Sequence, residues 1–546
     1  MKAVNISIYG FLFVLLNSCG TSNINFPRAP VVVENANQST PLTCFVDFDT
    51  DFPYEKVTFY ISDSDRDFQL NYSSDEMMEQ GFLIFLMRPA QENKIKIELI
   101  DSKGKKQMVD SELVFNTPPL AEGETEFPKI EITKAKTAVE KNELIFFNPR
   151  RRSPGRAGFG INFGMLTIIN QKGDVLWYYK TDSRISDFDL MNNGNISYVT
   201  QDSRIVEMDL AGNIIHCWYA KHRPEGTMED AIPVDALTFH HDVSVLPNGN
   251  RLALSTEIRE VDNYYTSETD KKAPRKRQKV MGDVVIEFNL EGEIVHKWKC
   301  FDQMPAMRIG YETFSNYWIR RGFPGVIDWS HANAVVPLPI EDAYLVNFRY
   351  QSAMIKVNKT SGEIEWIFAE PTGWGEDLQD KLLKIPEEGW NWHQHCPRFM
   401  ANGNLLFFNN NNYKARPFDE PAPMRESPSY VVEYKIDEEN KTVERIWDSL
   451  IESENDIIST AMGRVGEIPG TGNILAAYGA IVSQEHIDEM TWWTRMNYPQ
   501  WTMVREFRHT TPANIVWEMR LLPRNKESQI GWTLFGADRI ELKNLK

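Results

Sequence analysis

Two of the chain's ten histidines, His393 and His395, stand one residue apart in Asn391-Trp392-His393-Gln394-His395-Cys396-Pro397-Arg398. Seven residues after His395 comes Asn402-Gly403-Asn404, the kind of tight turn that joins two strands. His395 is therefore expected to open a strand and to face one end of its sheet. The spacing recurs. His241 lies seven residues before Asn248-Gly249-Asn250, and His331 leads a short strand into a degenerate turn at residues 337–342. Counting seven back from Thr471 in another repeat lands on Arg464. Three imidazoles at one phase of three repeats could ligate zinc, iron or copper. Arg349, after the hairpin of the His331 repeat in Asn347-Phe348-Arg349-Tyr350, together with Arg398 and Arg464, argues otherwise. A guanidinium beside a cation is unfavourable, whereas beside a tetrahedral oxyanion its donors fork onto two oxygens. Imidazole with guanidinium suits sulfuryl or phosphoryl transfer through a histidine nucleophile, kept neutral by the neighbouring positive charge. No metal and no cofactor is assigned. His216, His222, His296, His486 and His509 read as ordinary hydrogen-bonded residues.

The elements that must position these groups come from an internal repeat. A glycine, a branched aliphatic and then tryptophan recur in Gly173-Asp174-Val175-Leu176-Trp177, and again at 212–218, 292–298 and 362–366, with weaker copies ending at Trp447 and Trp517. Each marks an outer hairpin, and most follow an inner hairpin with an Asn-Gly-Asn-like turn. Six outer hairpins imply an all-β, six-bladed β-propeller over residues 120–546. The final strand, near Trp532, is expected to return and complete the first blade. In a propeller the first strand of each blade lines the central channel, so His241, His331, His395 and Arg464 converge on one mouth. Residues 25–119 alternate short apolar runs with polar turns and read as a small N-terminal β-sandwich.

The net charge of −18 argues against nucleic acid as a partner. An aromatic content of 12%, with 15 Trp, suits an all-β chain. Lys2, an apolar run over residues 8–16 and Leu16-Asn17-Ser18-Cys19 read as a lipoprotein signal peptide spanning residues 1–19, with Cys19 lipidated. The expectation is a cell-envelope protein anchored in the outer membrane. Cys44, Cys217, Cys300 and Cys396 are too scattered for a zinc knuckle or redox pair. The basic run at 271–279 reads as a solvated loop. The asparagines at 409–412 either supply amide donors to the pocket or form a turn. The oligomeric state is open, a homodimer included.

Four motifs in order, Phe239-His240-His241-Asp242, Asp328-Trp329-Ser330-His331-Ala332-Asn333, Asn347-Phe348-Arg349-Tyr350 and His393-Gln394-His395-Cys396-Pro397-Arg398, resemble the bacterial PAPS-independent arylsulfate sulfotransferase (ASST) family. The resemblance covers about residues 120–546. It implies a six-bladed propeller with a small N-terminal β-domain and a ping-pong transfer of sulfuryl from a phenolic sulfate ester to a phenol. It further implies that His395 is transiently sulfated and that His331 and Arg349 bind the sulfuryl oxygens. His241 is the expected member of the first motif, with His240 the alternative. Asn333, Arg464, Trp392 and Tyr350 are the expected substrate-binding groups. Trp329, Phe348 and Trp390 are expected to be packing residues before they are ring-binding ones. Some enteric relatives carry a disulfide near the site, and Cys396 has no nearby partner in this sequence. Three rivals remain: a binding-only propeller, an aryl sulfatase in which water takes the sulfuryl group, and a quinoprotein dehydrogenase, which would need eight blades.

Overall fold

The computed structural model describes residues 24–136, 143–155, 159–451, 457–525 and 528–545. The expected signal peptide and Cys19 lie outside the described residues. Among the described residues helix is confined to the four-residue Cys300–Gln303 and short 3-10 turns, so the chain is nearly all β, as its aromatic and alternating composition implies.

Two compact units divide the chain. The first takes in Thr43–Ile84, Ala90–Thr117 and the chain up to Asn35. It holds a three-stranded sheet (Arg28–Glu34, Cys44–Asp49, Phe82–Ile84) and a five-stranded one built on Lys56–Ser62 and Glu92–Ile100. Phe82 of one sheet packs on Phe59 and Tyr72 of the other. The second unit is Pro118–Lys546 with two short segments, Ala36–Leu42 and Phe85–Pro89, that the contiguous 25–119 division had put elsewhere. Thr40 donates to the Ala211 carbonyl at 2.8 Å, which accounts for the first of these segments.

Among the described residues six sheets make up the second unit, antiparallel except where Ile232–Val234 and Val326–Asp328 add in parallel to the second and third. Their innermost strands are Gly531–Glu541, Ile185–Leu190, Val243–Val245, Ala332–Leu338, His395–Phe399 and Arg464–Glu467. Each neighbours the next, and the last returns to the first. The ring is closed by both ends of the unit. Gly531–Glu541 pairs with Glu143–Arg152 as the inner strand of the first sheet, while Lys129–Lys134 adds to Asn514–Leu522 at the outside of the sixth.

Two sequence devices recur in register. The closing Asn of each inner turn reaches a glutamate of the third strand: Asn195 to Glu207, Asn250 to Glu287, Asn404 to Glu433 and Asn473 to Glu506, all within 2.6–2.7 Å. The outer-hairpin tryptophans face the following sheet. Trp177, Trp218, Trp298, Trp447 and Trp517 donate their indole N–H to the carbonyls of Leu210, Leu290, Gly362, Thr510 and Gln171, at 2.9–3.0 Å. The ring of sheets is thus latched at its rim by one repeated residue. Trp366, in the fourth sheet, is buried with its N–H unpaired.

Candidate active site

Four residues in left-handed backbone conformation stand just before the inner strands of the third to sixth sheets: His241, His331, His393 and Met462, with φ of 58°, 48°, 53° and 61°. None is glycine, and such conformations cost about 1–3 kcal/mol each unless the surroundings impose them. By this geometry His393, not His395, is the counterpart of His241. The count of seven placed His395 at that phase because a bulge between His395 and Arg398, with Cys396 at φ 47°, adds residues to the strand.

His395 is held on both nitrogens. Its Nδ1 lies 2.6 Å from Asn410 Oδ1, and its Nε2 accepts the Met462 N–H at 3.1 Å. Asn410 Nδ2 donates to the carbonyls of Ser459 and Met462, so its oxygen faces the ring and can only accept. The proton therefore sits on Nδ1 and the lone pair on Nε2. Burial, then Arg349, holds His395 well below the usual imidazole range, so the ring is neutral. The asparagine run does neither of the two things left open above: it gives the His395 ring an acceptor rather than an amide donor, and it is not a turn. Asn410 sets the tautomer, and Asn409, Asn411 and Asn412 tie the Trp392 N–H, the Pro428 carbonyl and the Thr460 carbonyl.

His331 donates or accepts at Nδ1 with Asp328 at 2.7 Å and stacks on Tyr350 at 4.2 Å between centroids. Burial, then Arg349, lowers His331 well below its ordinary range. Asp328 is pushed well above the carboxylate range by burial and then by Asp283, so the pair holds its shared proton tightly. His241 meets His331 edge-on at 4.8 Å and stacks on Tyr317 at 5.4 Å. Burial, then His331 and His240, keeps it neutral as well. His240 turns away from the cluster: its Nδ1 contacts His241 at 2.8 Å, and its Nε2 faces the Ser255 carbonyl and Asp283. His240 supports His241 and meets the cluster through that contact.

Arg349 pairs through Nη2 with Glu312 at 2.5 Å and donates to the Thr460 carbonyl, two residues from Met462. Its Nε is a buried donor with no acceptor among the described residues. An unpaired buried donor costs about 1–3 kcal/mol, which an arriving oxyanion would remove. Glu312 is a site residue the sequence did not single out. It bonds Arg495 as well as Arg349 and lies 3.6 Å from His393 Nδ1. Burial opposes its charge, but Arg349 and Arg495 hold it well below the carboxylate range. The insertion carrying Glu312 also supplies Tyr317, and no repeat phase reaches it. His393 is lowered to about 4 by burial and Arg349.

The remaining expected site residues divide. Tyr350 borders the cluster through His331. Trp392 is partly exposed beside His393 in a cleft with Tyr413 and Arg416. Asn333 donates to the Gln394 carbonyl at 3.0 Å, tying two inner strands beside a cavity of about 290 Å³. Arg464 borders the same cavity but is consumed by Asp187, Asp189 and Asp538 at 2.6–2.7 Å. Its donors hold three sheets together, and the phase argument could not see those carboxylates. Trp329 and Phe348 are core residues, packed on Phe301 and Trp298. Cys44, Cys217, Cys300 and Cys396 are free thiols. The five histidines given ordinary roles sit outside the cluster; His216, His222 and His509, for instance, pair with Glu207, Asp235 and Glu433. The basic run extends a hairpin, with Arg277 on Glu260 and Arg275 over Tyr265.

An all-β ring of sheets that presents neutral imidazoles and a guanidinium at the starts of its inner strands defines a class: a scaffold for handling an oxyanion without a charged base. Comparison narrows it. Residues 129–518 match the arylsulfotransferase (ASST) family, and the chain belongs to that family. Arylsulfate sulfotransferase AssT of Escherichia coli O6:H1 (strain CFT073) is 28% identical over 139 residues, and that of Lelliottia amnigena 29% over 138. Each alignment covers 22% of this chain and 23% or 22% of the relative, less than a quarter of its length. Among solved structures, a putative 6-phosphogluconolactonase of Bacteroides fragilis is 8% identical, covering 89% of this chain and 98% of that one, with a TM-score of 0.30. The β-propeller domain of Cps50 (Swd1) from Myceliophteria thermophila is 10% identical, covering 73% and 91%, with a TM-score of 0.31. Overlaps this loose carry no argument.

Proposed function

We propose that this chain is a six-bladed propeller enzyme, lipid-anchored through Cys19 in the cell envelope, that moves a sulfuryl group from a phenolic sulfate ester to a phenol. The observation that carries the reading is the pairing of His395, a neutral imidazole with its tautomer fixed by Asn410, with Arg349, whose Nε lacks an acceptor. Membership of the family supports it.

His395 Nε2, released from the Met462 amide, attacks sulfur. The S–N bond forms, the S–O(aryl) bond breaks, and phenolate leaves. Arg349 offsets the charge on the non-bridging oxygens. The departing phenolate takes the His331 Nε2 proton as the Asp328 carboxyl passes its own to Nδ1; in the second half His331 Nε2 takes the proton of the acceptor phenol and Nδ1 returns one to Asp328. The acceptor oxygen attacks sulfur, and the S–N bond breaks to restore His395. The proton left on His331 is available to the next departing phenolate. His241 and Tyr317 border this exchange, and Tyr350 and Trp392 offer faces for aryl rings.

The test is nitrophenol release from 4-nitrophenyl sulfate with and without an added phenol, without PAPS or added metal. Acceptor-dependent release is expected. It should be lost in His395→Ala and Arg349→Ala and fall about 10- to 100-fold in Asn410→Ala, which frees the tautomer. Release independent of acceptor would mean water takes the group, a sulfatase. Full activity in His395→Ala would overturn the mechanism.

A further inference from the structure

The cluster of imidazoles is bordered by guanidinium groups that the transfer itself does not use. Arg150 and Arg152 project from the same side of the strand Glu143–Arg152, whose end runs beside Thr533 and Gly531 of the first inner strand. Arg150 Nη1 rests on the sulfur of Met462 at 2.9 Å, and Met462 holds His395. Arg152 Nη2 rests on the sulfur of Met496 at 2.8 Å. Among the described residues Arg184 reaches only the carbonyls of Phe159 and Gly160. Arg321 lies 3.6 Å over the ring of Tyr317, the ring that stacks on His241. All four are partly buried, and none forms an ion pair with a carboxylate among the described residues. Arg349 and Arg495 each pair with Glu312, and Arg464 pairs with three aspartates.

Thioethers are weak acceptors, and like charges crowded together without a counter-charge repel. Arg184 carries the mark of it: burial, then Arg150, Arg321, Arg152 and Arg320, presses it well below the ordinary guanidinium range. Such an arrangement in a chain of net charge −18 is a standing field for anions. A single sulfuryl group, already met by Arg349 and the imidazoles, does not use it.

We propose that Arg150, Arg152, Arg184 and Arg321 form a second anion subsite beside the imidazole cluster, which takes a carboxylate, sulfonate or phosphate group carried elsewhere on the aryl substrate. The inference rests on the aryl sulfotransfer reading and deepens it. The preferred substrates are aryl sulfates or phenols bearing a further acid. Each guanidinium can fork onto two oxygens of that acid, so the aryl ring is anchored at both ends.

The experiment is calorimetric titration of the full chain with benzenesulfonate and with 1,3-benzenedisulfonate, neither of which can be transferred. The disulfonate should bind at least tenfold more tightly to the wild type. That ratio should collapse towards one in Arg152→Gln and Arg321→Gln and be partly kept in Arg321→Lys, with folding checked by circular dichroism. Equal affinity in the wild type overturns the subsite, as do failure of both sulfonates to bind and a ratio unchanged in the glutamine variants. The wild-type comparison decides even where a variant does not fold. Turnover of 4-nitrophenyl sulfate, measured in parallel, separates the two readings. Transfer without a disulfonate preference removes the subsite alone, whereas the preference without transfer supports the subsite and removes the reaction.

Discussion

At His393 the neutrality of the site is held at an energetic cost. The ring is buried against Tyr350 and Tyr413, with Nδ1 unpaired and Glu312 at 3.6 Å, and it protonates only near pH 4. A free imidazole takes its proton near pH 6.5. Between those values the unfolded chain binds a proton that the folded chain refuses, so the wild type loses stability as pH falls from 6.5 to 4. The full shift is worth about 3 kcal/mol. Carboxylates with raised values, such as Asp189 at about 6, gain stability over part of the same range and mask the slope in the wild type alone. Comparison with His393→Gln cancels them. In urea unfolding at pH 7.5 and at pH 4.5, the stability of the wild type relative to the variant should fall by about 2 kcal/mol at the lower pH. A constant difference would mean that His393 is as free to protonate as a surface histidine.

The elements were legible wherever a residue repeats. Outer tryptophans mark six hairpins and turns of the Asn-Gly-Asn kind four from spacing alone, because each does the same local job in sheet after sheet. The tryptophan latch can be tested by its one exception. Trp177→Phe and Trp298→Phe each strand a carbonyl and lose an N–H donor, so each should cost about 1 kcal/mol. Trp366→Phe removes an N–H that has no acceptor and should cost measurably less in the same denaturant titration. Equal losses at all three positions would show that ring packing, not the hydrogen bond, carries the contact. Legibility stopped at insertions and bulges. Glu312 and Tyr317 arise from an insertion that has no phase, and the bulge at Cys396 moved His395 two residues off the equivalent position while leaving it within the cluster. Asp328 was quoted in a motif, but nothing in the spacing said that it would hold His331.

Across the whole second unit, the ring is fastened at its centre as well as its rim. Arg464, from the sixth sheet, bonds Asp187 and Asp189 of the second and Asp538 of the first, closing the seam between the sixth and first sheets. Asp187 and Asp242 hydrogen-bond to each other, and burial, then Asp242, pushes Asp187 well above the carboxylate range, so these two share a proton. Asp189 and Asp538 then supply the charge that Arg464 answers. Removing one partner of such a buried set leaves the others uncompensated, at a cost of about 3–5 kcal/mol. Arg464→Met should therefore lower stability by that order at pH 8. The loss should be smaller at pH 5, where Asp189, already raised to about 6, takes a proton and needs no cation. A substrate-binding arginine would behave differently, because its replacement would raise KM and leave the unfolding midpoint in place. The unfolding midpoint of Arg464→Met at the two pH values, read beside its KM, thus decides whether the residue serves the substrate or closes the ring.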